Sequence, residues 1–292
     1  MNKSSTITSL EGFFRIIKKF STDKNSSVFY HEVADMQMVY RGHSDINWSL
    51  IPSALRNEKY IKNERLYLKE FQRQLPYETE NLDYFDVLVK AQHYGIPTRL
   101  LDFTLNPLVA LYFACSSNEN SDGVVICMLN QGLFSQQDLS IKVLMHYIFR
   151  FKHGYNWSDK NTELLKQSLL KDPSVFEEID NDIIEKILSS GRPIFVSPKL
   201  KNSRIQVQNG LFALFNTPLR KVNKSSNPEF NLLGAYNICE PDNLNKIIIP
   251  KHSKASLCKE LDSIGINEAY LFPGLETGLK TIVQRIDETN IM

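Results

Sequence analysis

The chain has 292 residues, a formal net charge of +1 and a hydrophobic fraction of 42%. That balance excludes a global basic field of the kind that binds nucleic acid or anionic lipid without specificity. No apolar run approaches the roughly 20 residues of a membrane-spanning helix, and Met1–Thr6 lacks the apolar core of a signal peptide, so a cytoplasmic location is expected.

Length permits one large domain or two moderate ones. The expectation is a single domain over 1–292, with a helical lead-in at 1–30, a helical insertion at 140–192 and a polar tail at 276–292. In chain order, Phe13, Phe14, Ile16 and Ile17 give an amphipathic helix opening near Ser9. Ser26–Tyr30 and Met36–Tyr40 are short apolar segments. The second reads as a strand ending at Arg41, with Gly42 breaking the run. Asn47–Pro52 is extended. Glu58–Gln74 and Phe85–His93 carry helical spacing, the latter stopped by Gly95 and Pro97. A helix over Pro107–Ser116 has Asn106 as its N-cap and proline in its first turn. Gly123–Leu129 is a buried strand. Ser140–Ser190 is helical and charged. Beyond Pro193 the pattern turns to strands at Ile194–Val196, Arg204–Gln208, Leu211–Phe215 and Lys246–Ile249. A helix follows at Lys254–Leu261, and Leu271–Leu275 closes the core. Strands and helices mix without strict alternation, which favours an α+β fold.

Polar chemistry concentrates in Ala91–Thr104. A buried polar group costs free energy unless it is bonded, so such density marks a site or a rigid network. His93 closes a helix and offers a ligand contact or proton transfer, with Tyr94 beside it. Asp102 and Thr104 are two residues apart and share a face of an extended strand. Thr104 has the alternative of capping the next helix, and Asp102 of pairing with Arg41 or Arg99 as architecture. Arg41 presents a fork suited to phosphate or carboxylate, and Gly42 admits close approach of a ligand. Gln206 and Gln208 alternate with Ile205 and Val207, placing two amides on one strand face before the Asn209-Gly210 turn. The four cysteines and six histidines show no metal-ligand spacing, so no metal is expected.

These pieces resemble the FRG domain, named for a Phe-Arg-Gly motif that stands here as Tyr40-Arg41-Gly42. Its longer signature matches Gln92–Thr104, followed by the apolar run Ala110–Ala114, and a later element matches Arg204–Phe212. A more distant resemblance is to ADP-ribosyltransferases of the Arg-Ser-Glu type. Tyr40-Arg41-Gly42 is similar to their first element, Leu101–Thr104 entering a helix to their second, and Gln206-Val207-Gln208 to their third. That resemblance implies a mixed, mainly antiparallel split-sheet core. It also implies NAD as substrate, with Asp102, Gln208 and His93 as catalytic groups and Arg41, Gly42, Tyr94, Arg99, Thr104 and Gln206 holding the dinucleotide. The acceptor would be water, a protein or a nucleic acid, and the setting bacterial or phage-associated, as a toxin or defence effector. The departure is Gln208, where that type carries a glutamate. The other reading is a non-catalytic module for a nucleotide, another phosphate-bearing molecule or a partner.

Overall fold

The computed structural model describes residues 4–22, 37–130, 132–151, 159–173, 175, 179–190, 193–199, 203–216 and 244–273. The segment 26–30 and the tail 276–292 lie outside these residues. The strands are β1 (Ser4–Thr6), β2 (Gln37–His43), β3 (Leu100–Thr104), β4 (Gly123–Asn130), β5 (Leu133–Ser135), β6 (Ile194–Ser197), β7 (Gly210–Leu214) and β8 (Asn245–Ile249). The helices are α1 (Leu10–Thr22), α2 (Glu58–Gln74), α3 (Pro76–Thr79), α4 (Tyr84–His93), α5 (Pro107–Cys115), α6 (Leu139–Arg150), α7 (Asp159–Leu169), α8 (Asn181–Ser189), α9 (Ser203–Val207), α10 (Lys254–Ser263) and α11 (Glu268–Leu271).

The fold is mixed α/β on an open, mostly antiparallel sheet in the order β1-β8-β4-β2-β3-β7-β6-β5. Only the β1–β8 and β6–β5 pairings are parallel among the described strands. The mixed, mainly antiparallel character is as expected, and the described strands form one sheet. Its weak point is the junction of β2 and β3, paired at Tyr40↔Thr104 alone. Next to that pair, the Asp102 carbonyl accepts from the Arg41 side chain rather than from a β2 amide. A seam opens there in the middle of the sheet.

Helices cover both faces. On one, Phe13 of α1, Leu111 of α5 and Leu257 of α10 pack against Val125, Cys127 and Ile247. On the other, α2, α4, α6, α7 and α8 bury Leu68, Leu88, Leu144, Leu165 and Ile184 against Leu100, Val196 and Phe212. Helix α6 is buried without a break from Ile141 to Phe149. Helices α6, α7 and α8, from the stretch expected as an insertion, thus share one core cluster with the sheet.

Local signals explain most boundaries. The Asn57 side chain accepts from Lys59 N–H and starts α2; Asp83 caps α4 through Asp86 N–H. Asn106 caps α5 as expected, accepting from Leu108 N–H at 2.9 Å. Gly95 takes a left-handed φ of 82° and ends α4.

Gly42 departs from expectation. It lies inside β2, paired with Val125, and does not break the strand. Its role is close packing, because a Cβ there would sit 1.9 Å from the Ala110 carbonyl oxygen and 2.8 Å from Ala114 N. Gly123 on the adjacent strand is equally tight, at 2.2 Å from the Ala114 carbonyl. Two glycines let α5 lie directly on the backbone of β2 and β4. Gly42→Ala should therefore destabilise the fold by about 3 kcal/mol or more, since backbone rather than a flexible side chain must move. Urea denaturation checks this, and a wild-type midpoint would contradict it.

Candidate functional site

The seam opens into a cleft of about 420 Å³. Six of the nine residues expected at a site line it: Arg41, Gly42, His93, Asp102, Thr104 and Gln208. Three do not. Arg99 is 1% exposed and locked to Glu64 of α2, its Nε donating to Oε1 at 2.9 Å and its Nη2 to Oε2. Tyr94 points away, with its hydroxyl donating to Glu78 Oε2 at 3.2 Å and its ring 5.7 Å from that of Phe71. Gln206 is exposed on α9.

The glutamine pair is a correction. Ser203–Val207 is a short helix, not a strand, so Gln206 and Gln208 do not share a strand face. Gln208 N–H donates to the Arg204 carbonyl at 3.0 Å and Asn209 N–H to the Gln206 carbonyl at 3.1 Å. Asn209 then reverses the chain with a left-handed φ of 46°. Two apolar residues spaced by two fit a helical turn as readily as a strand, and the left-handed Asn decided it.

The groups in the cleft hold one another. Arg41 Nε–H donates to His43 Nε2 at 2.8 Å and Nη1 donates to the Asp102 carbonyl. Among the described residues Nη2 makes no hydrogen bond. The fork is thus aimed by the protein and keeps one nitrogen for a ligand. Burial lowers the Arg41 pKa, with Asp102 opposing and Arg56 adding to the fall. An arginine so shifted still remains a cation.

Asp102 is exposed on β3. Its Oδ1 accepts from Gln92 Nε2 at 2.9 Å, and Gln92 Oε1 accepts in turn from Thr98 Oγ1 at 2.5 Å. One carboxylate oxygen is positioned in this way, and the residue lines the cleft. Thr104 is committed to architecture: its hydroxyl accepts from Asn106 N–H at 2.9 Å and donates to the Gln208 carbonyl at 2.6 Å. Gln208 Nε2 donates to the Leu271 carbonyl at 3.0 Å, so its amide oxygen is the part left for a ligand. Thr104 and Gln208 join β3, α9 and α11 at one wall.

Residues 36–123 match the model of the FRG domain. No curated protein and no solved structure matches the chain. The FRG match runs from β2 to the first residue of β4, and so supplies Arg41, His43, Gln92, His93 and Asp102. Gln208 and Arg204 come from outside it. Arg204 reaches the cleft from α9 with its guanidinium 4.6 Å from the centre of the Phe272 ring. The ADP-ribosyltransferase resemblance finds no further support in these comparisons. No helix among the described residues is long and apolar enough to cross a membrane.

Two cleft residues beyond the expected set are His43 and Trp48. The signal for His43 was present: it lies two residues beyond Arg41 on one strand, hence on the same face. It is 3% exposed, and because its Nε2 accepts from Arg41 the imidazole is neutral. Burial first, and Arg41 second, hold its pKa down at about 3. An unfolded histidine titrates near 6.5. A depressed folded value means the unfolded state binds the proton more readily, so the stability is intact above pH ~6.5 and is lost as pH falls towards 3. The slope is ~1.4 kcal/mol per pH unit for one such group. Burial lowers the buried His146 as well, which adds in the same direction. Urea midpoints at pH 7, 6 and 5 should fall steadily for the native chain and more shallowly for His43→Gln. Equal slopes would remove His43 as the cause.

Proposed function

We propose that the chain binds a nicotinamide dinucleotide in this cleft and cleaves its glycosidic bond, as a glycohydrolase or an ADP-ribosyltransferase. The observation that carries this reading is the convergence of Arg41, Asp102 and Gln208 on one cleft, from three segments in the order that the resemblance implies. In this reading Arg41 Nη2 takes a phosphate oxygen, as a guanidinium does well. The Asp102 carboxylate lies against the ribose and offsets the positive charge that develops at its anomeric carbon. His93, exposed at the cleft, is placed to exchange a proton with the acceptor. The bond from the anomeric carbon to the nicotinamide nitrogen breaks, and nicotinamide leaves with the electron pair. A water, protein or nucleic-acid oxygen supplies the new bond and loses its proton. Such an activity drains or diverts a cofactor pool, which connects it to a toxin or phage-defence role.

The test is nicotinamide release by the full chain at millimolar NAD, with labelled NAD and cell lysate to capture an acceptor. Release or labelling that is lost in Arg41→Ala supports the proposal; neither one appearing sinks it. The second reading, binding without turnover, has one observation in its favour. Gln208 is tied to the Leu271 carbonyl and offers no charge where the transferase type has a carboxylate. Calorimetric binding of NAD with no product would select it.

A further inference from the structure

Trp48 is a cleft side chain without a role so far. Trp48 is 54% exposed and lines the cleft beside Ser44 and Ser117. The loop that carries it is tightly built. The Asp45 carboxylate accepts from Asn47 N–H at 2.9 Å, from Asn47 Nδ2 at 3.0 Å and from Asn118 Nδ2 at 3.0 Å. Trp48 N–H donates to the Asp45 carbonyl at 3.1 Å, and Ile46 N–H to the Asp122 carbonyl at 2.8 Å. Lys254 of α10 is 2% exposed. Its ammonium donates to the carbonyls of Ser44 at 2.6 Å, Ser117 at 3.0 Å and Asn118 at 2.8 Å. A buried cation is costly unless its protons all find acceptors, and here three carbonyls serve three protons. Lys254 thereby ties the start of the Trp48 loop to the end of α5. The buried His43 ring stands next to the indole, with centroids 6.1 Å apart. So much polar structure beneath an indole that stays in solvent does not serve core burial. It holds an aromatic ring at the cleft wall.

We infer that Trp48 is a stacking platform for a planar heteroaromatic ring of the ligand, with Lys254 as the residue that positions it. The inference rests on the nucleotide reading above and adds which part of the ligand is recognised at this wall. Base–aromatic stacking corresponds to a change in affinity of roughly ten- to a hundredfold. Ligands with a ring should depend on Trp48, and ring-free phosphates on Arg41.

The full chain has two tryptophans, Trp48 and Trp157, so two indole N–H resonances report binding, and Trp48→Phe assigns them. The probes are adenosine and nicotinamide (ring without phosphate), pyrophosphate (phosphate without ring) and NAD. NAD and at least one ring probe should shift the Trp48 resonance saturably, and pyrophosphate should not. Trp48→Ala should weaken NAD roughly ten- to a hundredfold, while Trp48→Phe retains most affinity. Lys254→Met should displace the Trp48 resonance and weaken the ring probe while pyrophosphate binding persists. A Trp48→Ala chain that binds NAD as the native one does overturns the inference. A ring probe that moves Trp48 without any nicotinamide release from NAD leaves the platform standing and removes the reaction. Arg41-dependent pyrophosphate binding with a Trp48 resonance that neither NAD nor either ring probe moves removes the platform and leaves the phosphate site standing. Silence from all four probes rejects the platform and the nucleotide cleft together.

Discussion

Glu64→Ala should lower stability by about 3–5 kcal/mol, the usual cost of stranding one member of a buried ion pair. Glu64 and Arg99 have side chains only 3% and 1% exposed, and Arg99 reaches Glu64 through both Nε and Nη2. Burial alone would lower the Arg99 pKa; the Glu64 charge outweighs it, and the net direction is upward. The pair fastens α2 to the segment just before β3, next to Tyr147 of α6. Removing the carboxylate leaves a guanidinium in the core with nothing to offset its desolvation. The melting temperature should fall on the order of 10 °C. The double replacement Glu64→Leu with Arg99→Met should recover most of the loss, because an apolar pair of similar volume removes both charges at once. Thermal and urea denaturation of the single and double variants give the answer. A loss under about 1 kcal/mol for Glu64→Ala would place the pair in a far wetter environment than its burial implies. If the double variant also keeps its ligand affinity, Arg99 has no part in binding.

Arg99 illustrates where a sequence stops being legible. It stands in the densest polar stretch of the chain, three residues from Asp102, and on spacing alone the two were natural partners. The partner that burial selected is 35 residues upstream, on α2. Elements set by local chemistry were legible: the periodicity of α2 and α4, the Asn106 cap of α5, the glycine stop after α4, and β3, β4 and β8. Features set by tertiary packing were not. Gly42 looked like a strand end because nothing local shows that Ala110 will press against it. The segment Ile205–Val207 was too short for its period to separate strand from helix. Within the candidate site, Arg41, Asp102 and Gln208 could be picked out as polar groups set among apolar runs. The grip of Gln92 on Asp102, and of Leu271 on Gln208, depends on chain pieces that meet only in the fold.

Asp102→Asn should reduce nicotinamide release by a factor on the order of 10²–10³ with little change in NAD affinity. The asparagine keeps the shape and still accepts from Gln92 Nε2 through its remaining oxygen, so the cleft should stay intact. In the proposed reaction, what it removes is a full negative charge facing the developing oxocarbenium ion. That interaction strengthens only towards the transition state, so the loss belongs in the rate of the bound complex rather than in binding. Single-turnover rates and calorimetry on the same variant separate the two. Gln208→Glu is the counter-test. A glutamate there would introduce the charge that ADP-ribosyltransferases of the Arg-Ser-Glu type carry, but its oxygens would face the Leu271 carbonyl, which now accepts from Gln208 Nε2 at 3.0 Å. Two acceptors cannot bond each other, so this variant should lose about 1–3 kcal/mol of stability and gain no rate. Should Gln208→Glu instead accelerate release while Asp102→Asn leaves it untouched, the carboxylate role would pass from β3 to the turn after α9.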